Sequence, residues 1–354
     1  MNKRNFNWGE LRGGGLNRRV LFHSGTFAQI VSLDNLFLAW KSYRKGKRGK
    51  KDVQRFEFNL EDSIFQLHED LVSGQYRPSG YQQFRITDPK SRLISKASVR
   101  DRLFHQAIYQ ILYPEFDKTF IFDSYSCRNK KGTHRAFNRL VTFTHQVSRN
   151  YTRPCWALKL DIKKFFDSID HHILRRLLRE RITDPDLLHH LYMIIGSFEF
   201  SPGKGMPLGN LTSQLFANVY MDPLDNCIKH ELKVKHYLRY ADDFMILSTD
   251  PHYLLGCLVE IDVLLKAKLK LRIHPSKVTL RKLSEGIDFV GYVALPHYQL
   301  PRRKTVKRML RNLKVANATD IEKSLPSCLG HLGHVCTNKL LKKFHDFTPQ
   351  TFDF

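Results

Sequence analysis

Apolar positions recur at helical spacing from Ser32 onward, where Leu33, Leu36, Phe37 and Trp40 share a face and Ser32 stands ready to cap it. The run RKGKRGKK interrupts as a basic loop. A second helix is then predicted, with Phe56, Leu60, Ile64, Leu67 and Leu71 on one side and Gly74 near its end. Residues 81–95, YQQFRITDPKSRLIS, alternate around an Asp88-Pro89 turn signal, which predicts a β-hairpin with Lys90 and Arg92 at or beside its tip. Helical spacing returns over Arg100 to Tyr113. Trp156, Leu158 and Leu160 alternate with Ala157 and Lys159, giving a short strand that ends at Asp161. Helices follow over Ile173 to Arg181 and Leu187 to Ile195, separated by the Asp184-Pro185 breaker. A loop over Gly203 to Gly209 leads to a mostly apolar helix over Ser213 to Ile228. His236 to Leu247, HYLRYADDFMIL, reads as two short strands with Asp242 and Asp243 at the turn between them. Beyond it come an amphipathic helix near Leu254 to Leu269, strands near Leu271 to Ile273 and Ile287 to Leu295, and a basic helical tail from Lys304. Residues 1 to about 30 lack periodicity and are expected to form an extension that orders on a partner.

Length and charge sharpen this picture. The 354 residues allow a substantial core, and 58 Lys and Arg against 34 Asp and Glu leave a formal charge of +24. Basic residues are spread through the chain, so a lined groove for a polyanion is expected rather than one charged tail. The scattered cysteines (Cys127, Cys155, Cys227, Cys257, Cys328, Cys336) form no paired framework, as suits a reducing cytosol. No export signal stands at the N-terminus, and no run approaches the roughly 18 apolar residues of a membrane span. A cytoplasmic protein with no membrane partner is the expectation.

The chemistry concentrates in carboxylates. Asp242 and Asp243 side by side repel unless a cation neutralises them; a solvated acidic turn is the plainer alternative. With Asp161 at the end of another strand, three carboxylates could gather around a metal pair. Two metals roughly 3.5 to 4 Å apart meet the needs of in-line phosphoryl transfer. The surplus positive charge then indicates a nucleic acid as the phosphate bearer.

LKLDIKKFFDSID, GMPLGNLTSQLFANVYMDPLD, YLRYADDF, LRIHPSKVTL and IDFVGY occur in the order and approximate spacing of the catalytic motifs of reverse transcriptases, and RLISKASVRDRLFHQAI resembles their fingers motif. The resemblance covers the chain from about Leu33 to the C-terminal tail. It implies an α+β right-hand polymerase: an extension over 1–30, fingers over 31–150, a palm with antiparallel sheet over 151–300, and a short helical thumb over 301–354. It further implies Asp161, Asp242 and Asp243 as catalytic, with Asp161, Ile162, Asp242 and Asp243 holding two Mg²⁺ ions, Mn²⁺ being an alternative. Lys90 and Arg92 resemble the pair that neutralises the incoming triphosphate. Phe166 resembles the bulky gate against a ribose 2′-hydroxyl. Gly209, Ser213 and Gln214 match the loop and helix start under the nascent base pair. Lys277 resembles a lysine near the triphosphate, and Phe289, Val290, Gly291 and Tyr292 resemble the primer grip; for both, a structural role stays open. Implied partners are template RNA, DNA product and dNTPs, with room for an accessory protein or a second copy.

Two departures carry information. Leu208 stands before Gly209 where most reverse transcriptases have glutamine, and Gln214 follows Ser213 where most have proline. That LGNLTSQ pattern resembles the enzymes of diversity-generating retroelements and of some bacterial phage-defence systems. Ala241 stands where many of the former have methionine. No room is expected for an appended RNase H or endonuclease domain, so such activities are expected from partners or not at all, while the extension and the surplus charge suggest a dedicated structured RNA as template and scaffold. A catalytically silent RNA-binding protein with the same fold is the alternative. Cys328, His331, His334 and Cys336 invite a zinc reading, yet at 100° per residue they do not converge on one helix face, so a packed helix is expected there.

Overall fold

The computed structural model describes residues 19–87 and 91–335, together with 340, 341, 344 and 347. It is an α+β structure with helices and antiparallel sheets, in two compact units that each combine separate stretches of chain: residues 1–119 with 166–220, and 120–165 with 221–354.

The first unit is mainly helical. Ser32 caps the helix Leu33–Tyr43 by accepting the Asn35 amide. That helix buries Leu36, Ala39, Trp40 and Tyr43 and packs on the helix Val99–Thr119, which buries Leu103, Phe104, Ala107 and Ile108. The single helix expected over 56–71 is two, Lys51–Phe58 and Leu60–Val72, because Asn59 leaves helical geometry (φ −114°, ψ 48°). Asparagine competes for its own backbone in this way, so the break had a signal in the sequence. The hairpin expected over 81–95 forms as β1 (Gln82–Ile86) and β2 (Arg92–Lys96), paired from Gln82↔Lys96 to Ile86↔Arg92.

Part of the stretch expected to be an extension is built into this unit. Phe22 bridges to Ile182, and Phe27, Ile30 and Val31 are buried on the helix Thr26–Val31. Asp184, 1% exposed, ties it down: one carboxylate oxygen accepts the Phe27 amide and the other accepts the Leu187 amide. It thereby caps the helix Pro185–Gly196, with Pro185 in the first turn where no amide proton is needed.

His105 is buried without a partner for Nδ1 among the described residues. Burial lowers its pKa to about 4, with the Asp101 carboxylate opposing and Arg102 adding. The unfolded chain, with an ordinary imidazole near 6.5, takes up the proton first as pH falls. Stability is therefore full above about pH 6.5 and declines toward pH 4. Between pH 6.5 and 5 the loss from this group is about 2 kcal/mol, at about 1.4 kcal/mol per pH unit. Urea titrations at the two pH values should give a His105→Leu variant a shallower pH dependence by that amount; an identical slope in both proteins would contradict the assignment.

The second unit centres on a four-stranded antiparallel sheet in the order β4-β5-β3-β6, made of β3 (Trp156–Asp161), β4 (Tyr237–Tyr240), β5 (Asp243–Ser248) and β6 (Thr279–Lys282). One face carries Ala157, Leu238, Met245 and Leu247 into a core with Phe137, Leu140 and Phe143 of the helix Thr133–Ser148. The opposite face carries Leu158, Leu160, Phe244 and Ile246, all buried. The helix Pro251–Leu269 packs on β3 and β5. The strand expected near Leu271 to Ile273 is absent: only Ile273 makes a bridge, to Ile162. The strand expected over 287–295 is split by a turn into β7 (Ile287–Phe289) and β8 (Tyr292–Leu295), with β9 (Tyr298–Pro301) completing a second sheet. The basic tail forms the helices Arg303–Val315 and Ala318–Leu332, whose Val306, Leu313, Leu325, Cys328 and Leu332 share a small core.

Candidate active site

Strand register brings the acidic residues together. β3 and β5 run antiparallel with Asp161 directly opposite Asp243, so both carboxylates leave the same face at the same end of the sheet. β4 and β5 are joined by the two-residue turn Ala241-Asp242, with Tyr240 opposite Asp243. Ala241 takes a positive φ of 58°, at the turn position where hairpins prefer glycine. The Ile162 amide donates to the Asp242 carbonyl at 3.3 Å, which fixes the turn against the end of β3.

Lysines answer these carboxylates. Chain beyond the helix Pro251–Leu269 runs back along β3, where the Lys163 amide donates to the Arg272 carbonyl and the His274 amide to the Asp161 carbonyl. This delivers Lys277, whose Nζ donates to Asp161 Oδ1 at 2.6 Å. Lys159 Nζ lies 3.0 Å from Asp243 Oδ2. Lys159 was not among the residues expected from sequence. Its signal was there, since a residue two positions before Asp161 on a strand shares its face.

Burial raises the Asp243 pKa to about 6, with Lys159 opposing and the Asp161 and Asp242 carboxylates adding to the rise. Its Oδ1 is buried with no hydrogen-bond partner among the described residues. Such an oxygen, costly to leave bare, suits a cation as its partner. Among the described residues, no three His, Cys, Asp or Glu side chains converge on a metal-sized point, and Lys277 and Lys159 each pair with one oxygen of Asp161 and Asp243. The donors themselves are all oxygen: the carboxylates of Asp161, Asp242 and Asp243, and for Ile162, whose side chain is apolar and buried, only the main-chain carbonyl. That set suits a hard divalent ion.

A residue that sequence reasoning missed stands behind the turn. Arg239, 1% exposed, makes a bidentate pair with Asp225, Nε to Oδ1 at 2.8 Å and the terminal nitrogen Nη2 to Oδ2 at 2.6 Å. Its other terminal nitrogen donates to the Ala241 carbonyl at 3.0 Å, and the Tyr237 hydroxyl donates to Asp225 Oδ1 at 2.6 Å. Tyr237 and Arg239 share the sheet face opposite the one that carries Asp243.

The primer-grip segment lies on the turn of the β7-β8 hairpin, where Phe289 pairs with Tyr292. Val290 (φ 43°) and Gly291 (φ 99°) both take positive φ there, a strained conformation for a β-branched residue. The Tyr292 ring stacks on His331 with centroids 4.4 Å apart, and its hydroxyl lies 2.9 Å from His331 Nδ1. His331 and His334 lie beside the same His134, the Tyr292 hydroxyl reaching both His331 and His134 and the His334 ring packing on His134, while Cys328 sits in the small apolar core. Cys336 lies outside the described residues.

The remaining candidates belong to the first unit. Arg92 is exposed at the start of β2, while Lys90 lies outside the described residues. Phe166 is half-buried, whereas Phe165 is fully buried. The Leu208 carbonyl accepts the Ser95 amide at 3.3 Å, which ties the loop to β2. Gly209 has φ 112°, and a Cβ there would meet Ile94 at 3.1 Å, so conformation and close approach both call for glycine. Ser213 is buried and Gln214 half-buried in the first turn of the helix Leu211–Asn226.

Comparison with known proteins bears on this geometry directly. The family model described as reverse transcriptase (RNA-dependent DNA polymerase) matches residues 86–294. Protein YkfC of Escherichia coli is 23% identical over 267 residues, covering 64% of this chain and 69% of that protein. The putative COX1/OXI3 intron 2 protein of Saccharomyces cerevisiae is 20% identical over 361 residues, covering 82% of this chain and 41% of its own length. The group II intron-encoded protein LtrA of Lactococcus lactis subsp. cremoris is 26% identical over 184 residues, covering 49% of this chain and 29% of its own. The chain thus spans less than half the length of the two intron proteins. The matched segment contains Asp161, the Asp242-Asp243 turn, Lys277 and the loop at Gly209, and the chain belongs to the reverse transcriptase (RNA-dependent DNA polymerase) family.

Proposed function

We propose that this chain extends a primer 3′-hydroxyl with dNTPs on an RNA template, using Asp161, Asp242 and Asp243. The observation that carries this reading is the register pairing of Asp161 with Asp243, each already neutralised by its own lysine. Divalent ions, two Mg²⁺ or alternatively Mn²⁺, would be held by Asp161, Asp242, Asp243 and the Ile162 carbonyl. When bound they would favour ionisation of the attacking hydroxyl and stabilise the leaving oxygen. Lys277 is proposed to donate a proton to the departing pyrophosphate, and Lys159 to hold Asp243 in its ionised, ligating form.

Other roles follow the family motifs: Lys90 and Arg92 on the triphosphate, Phe166 against the ribose 2′-hydroxyl, Leu208, Gly209, Ser213 and Gln214 under the nascent pair, and Phe289 to Tyr292 on the primer. Residues 31–150, 151–300 and 301–354 then act as fingers, palm and thumb. The intron association in the relatives' names supports a structured RNA as template, and the +24 charge supports a long contact with it.

The LGNLTSQ motif supports a role in a diversity-generating retroelement or a phage-defence system. A leucine cannot make a glutamine's hydrogen bonds, so the wild-type pocket should discriminate base pairs poorly. Leu208→Gln is expected to lower misincorporation several-fold when extension products are sequenced, and an unchanged error frequency would refute that role for Leu208. The activity itself is tested by RNA-templated primer extension with the purified chain and Mg²⁺. Tight RNA binding with no extension under any divalent ion would favour the silent RNA-binding alternative.

A further inference from the structure

The end of β3 remote from the aspartates opens into a cavity of about 360 Å³, lined by Tyr151, Thr152, Arg153, Lys282 and Ser284 among others. Its wall has an unusual backbone. Arg149 (φ 47°), Asn150 (φ 55°) and Tyr151 (φ 67°) are consecutive non-glycine residues in the left-handed region, which L-residues normally visit singly. The surrounding contacts hold them there. The Asn150 amide donates to the His145 carbonyl at 2.9 Å, the Tyr151 amide to Ser148 Oγ at 2.8 Å, and the Arg153 amide to the Ser148 carbonyl at 2.9 Å. Ser148 is 1% exposed, and the Tyr151 hydroxyl lies 2.7 Å from His145 Nε2. Strain of this kind persists where the surroundings over-determine it, and it clusters at ligand sites.

The lining has one chemical character. Among the described residues, neither the exposed Arg153 guanidinium nor the exposed Lys282 ammonium has a carboxylate partner. Thr152 and Ser284 add hydroxyls, and the Tyr151 ring, edge-on to His297 with centroids 4.6 Å apart, adds an aromatic surface. Lys282 is fixed in register opposite Trp156, so the cavity stands about 17 Å along the strand from Asp161, at about 3.3 Å per residue. Two cations, hydroxyls and an aromatic face in a volume of this size suit one nucleotide and exclude a duplex.

We infer that this cavity seats one phosphate-bearing nucleotide of a single RNA strand, at a station separate from the aspartates. Only the identity of the strand rests on the polymerase reading above. The test uses the full chain and a fluorescein-labelled single-stranded RNA, titrated at several salt concentrations. Arg153→Gln with Lys282→Gln should weaken binding about tenfold at low salt. The plot of log Kd against log salt should become shallower by about 0.7, the value for one lost single-strand phosphate contact. Lys282→Gln alone, on an exposed edge-strand position, should weaken binding and flatten the plot by a smaller amount than the double variant, and serves if the double variant misfolds.

Adenosine monophosphate distinguishes a nucleotide within RNA from a free one. Competition by it that the double variant abolishes, together with the weakened RNA binding, supports the site. RNA affinity and slope unchanged in the variants overturn it, even if the free nucleotide still binds. Extension of a pre-annealed primer should continue at the wild-type rate in both variants. A wild-type chain that never extends a primer would refute the polymerase reading while leaving this binding result intact.

Discussion

Asp242→Asn is expected to reduce RNA-templated primer extension by about 10²- to 10³-fold or more while leaving RNA affinity within about twofold. Magnitudes of this order follow when a group that stabilises transition-state charge is removed from a pre-organised site. The carboxylate is held on a two-residue turn whose carbonyls are tied by the Ile162 amide and by Arg239, so the amide side chain keeps the position and loses only the charge. Asp243→Asn should behave likewise. Burial already disfavours the charged form at Asp243, so its metal-free melting temperature should not fall. Steady-state incorporation of labelled dNTP, read beside a melting curve, checks both statements. Residual extension above a tenth of wild type in either variant would remove these residues from the catalytic set.

Asp225→Ala is expected to cost about 3–5 kcal/mol in a urea titration, the usual penalty for leaving one partner of a buried ion pair uncompensated. Arg239 and Asp225 are each 1% or less exposed, so solvent cannot make up the loss. Replacing both residues, as Asp225→Leu with Arg239→Met, should recover most of that stability, since an apolar pair of similar volume is often as good. Activity should not recover with it. The lost guanidinium also held the Ala241 carbonyl, which keeps Asp242 on its turn. Recovery of stability and activity together would reduce Arg239 to a packing role. Recovery of stability without activity would mark Arg239 as a positioning residue.

Residues whose meaning lies in local periodicity were legible in advance. The β1-β2 hairpin, the strand ending at Asp161, the Asp242-Asp243 turn and the cap at Ser32 depend on neighbours within a few positions, where the side-chain period speaks directly. The Asp184-Pro185 pair was read as a breaker and proved to be a helix start, because the same residues that end one element cap the next. Lys159 against Asp243 and Asp225 against Arg239 were not legible. The first pair joins residues 84 positions apart through strand register, and the second joins a helix end to a strand face. Ile273 failed as a strand because one bridge to Ile162 meets its backbone needs and no ladder continues. Neither β propensity nor alternation encodes where a partner strand stops.

The lysines at the acidic site bear on how the protein is handled. Lys277 and Lys159 neutralise Asp161 and Asp243 without help from any ion, so assembly of the sheet and uptake of metal are separate events. This differs from small metal-dependent domains, in which chelation and unfolding are one transition. A chelating agent should therefore silence this protein without melting it. A stock stripped of divalent ions should stay folded and regain primer extension once a suitable divalent salt is restored.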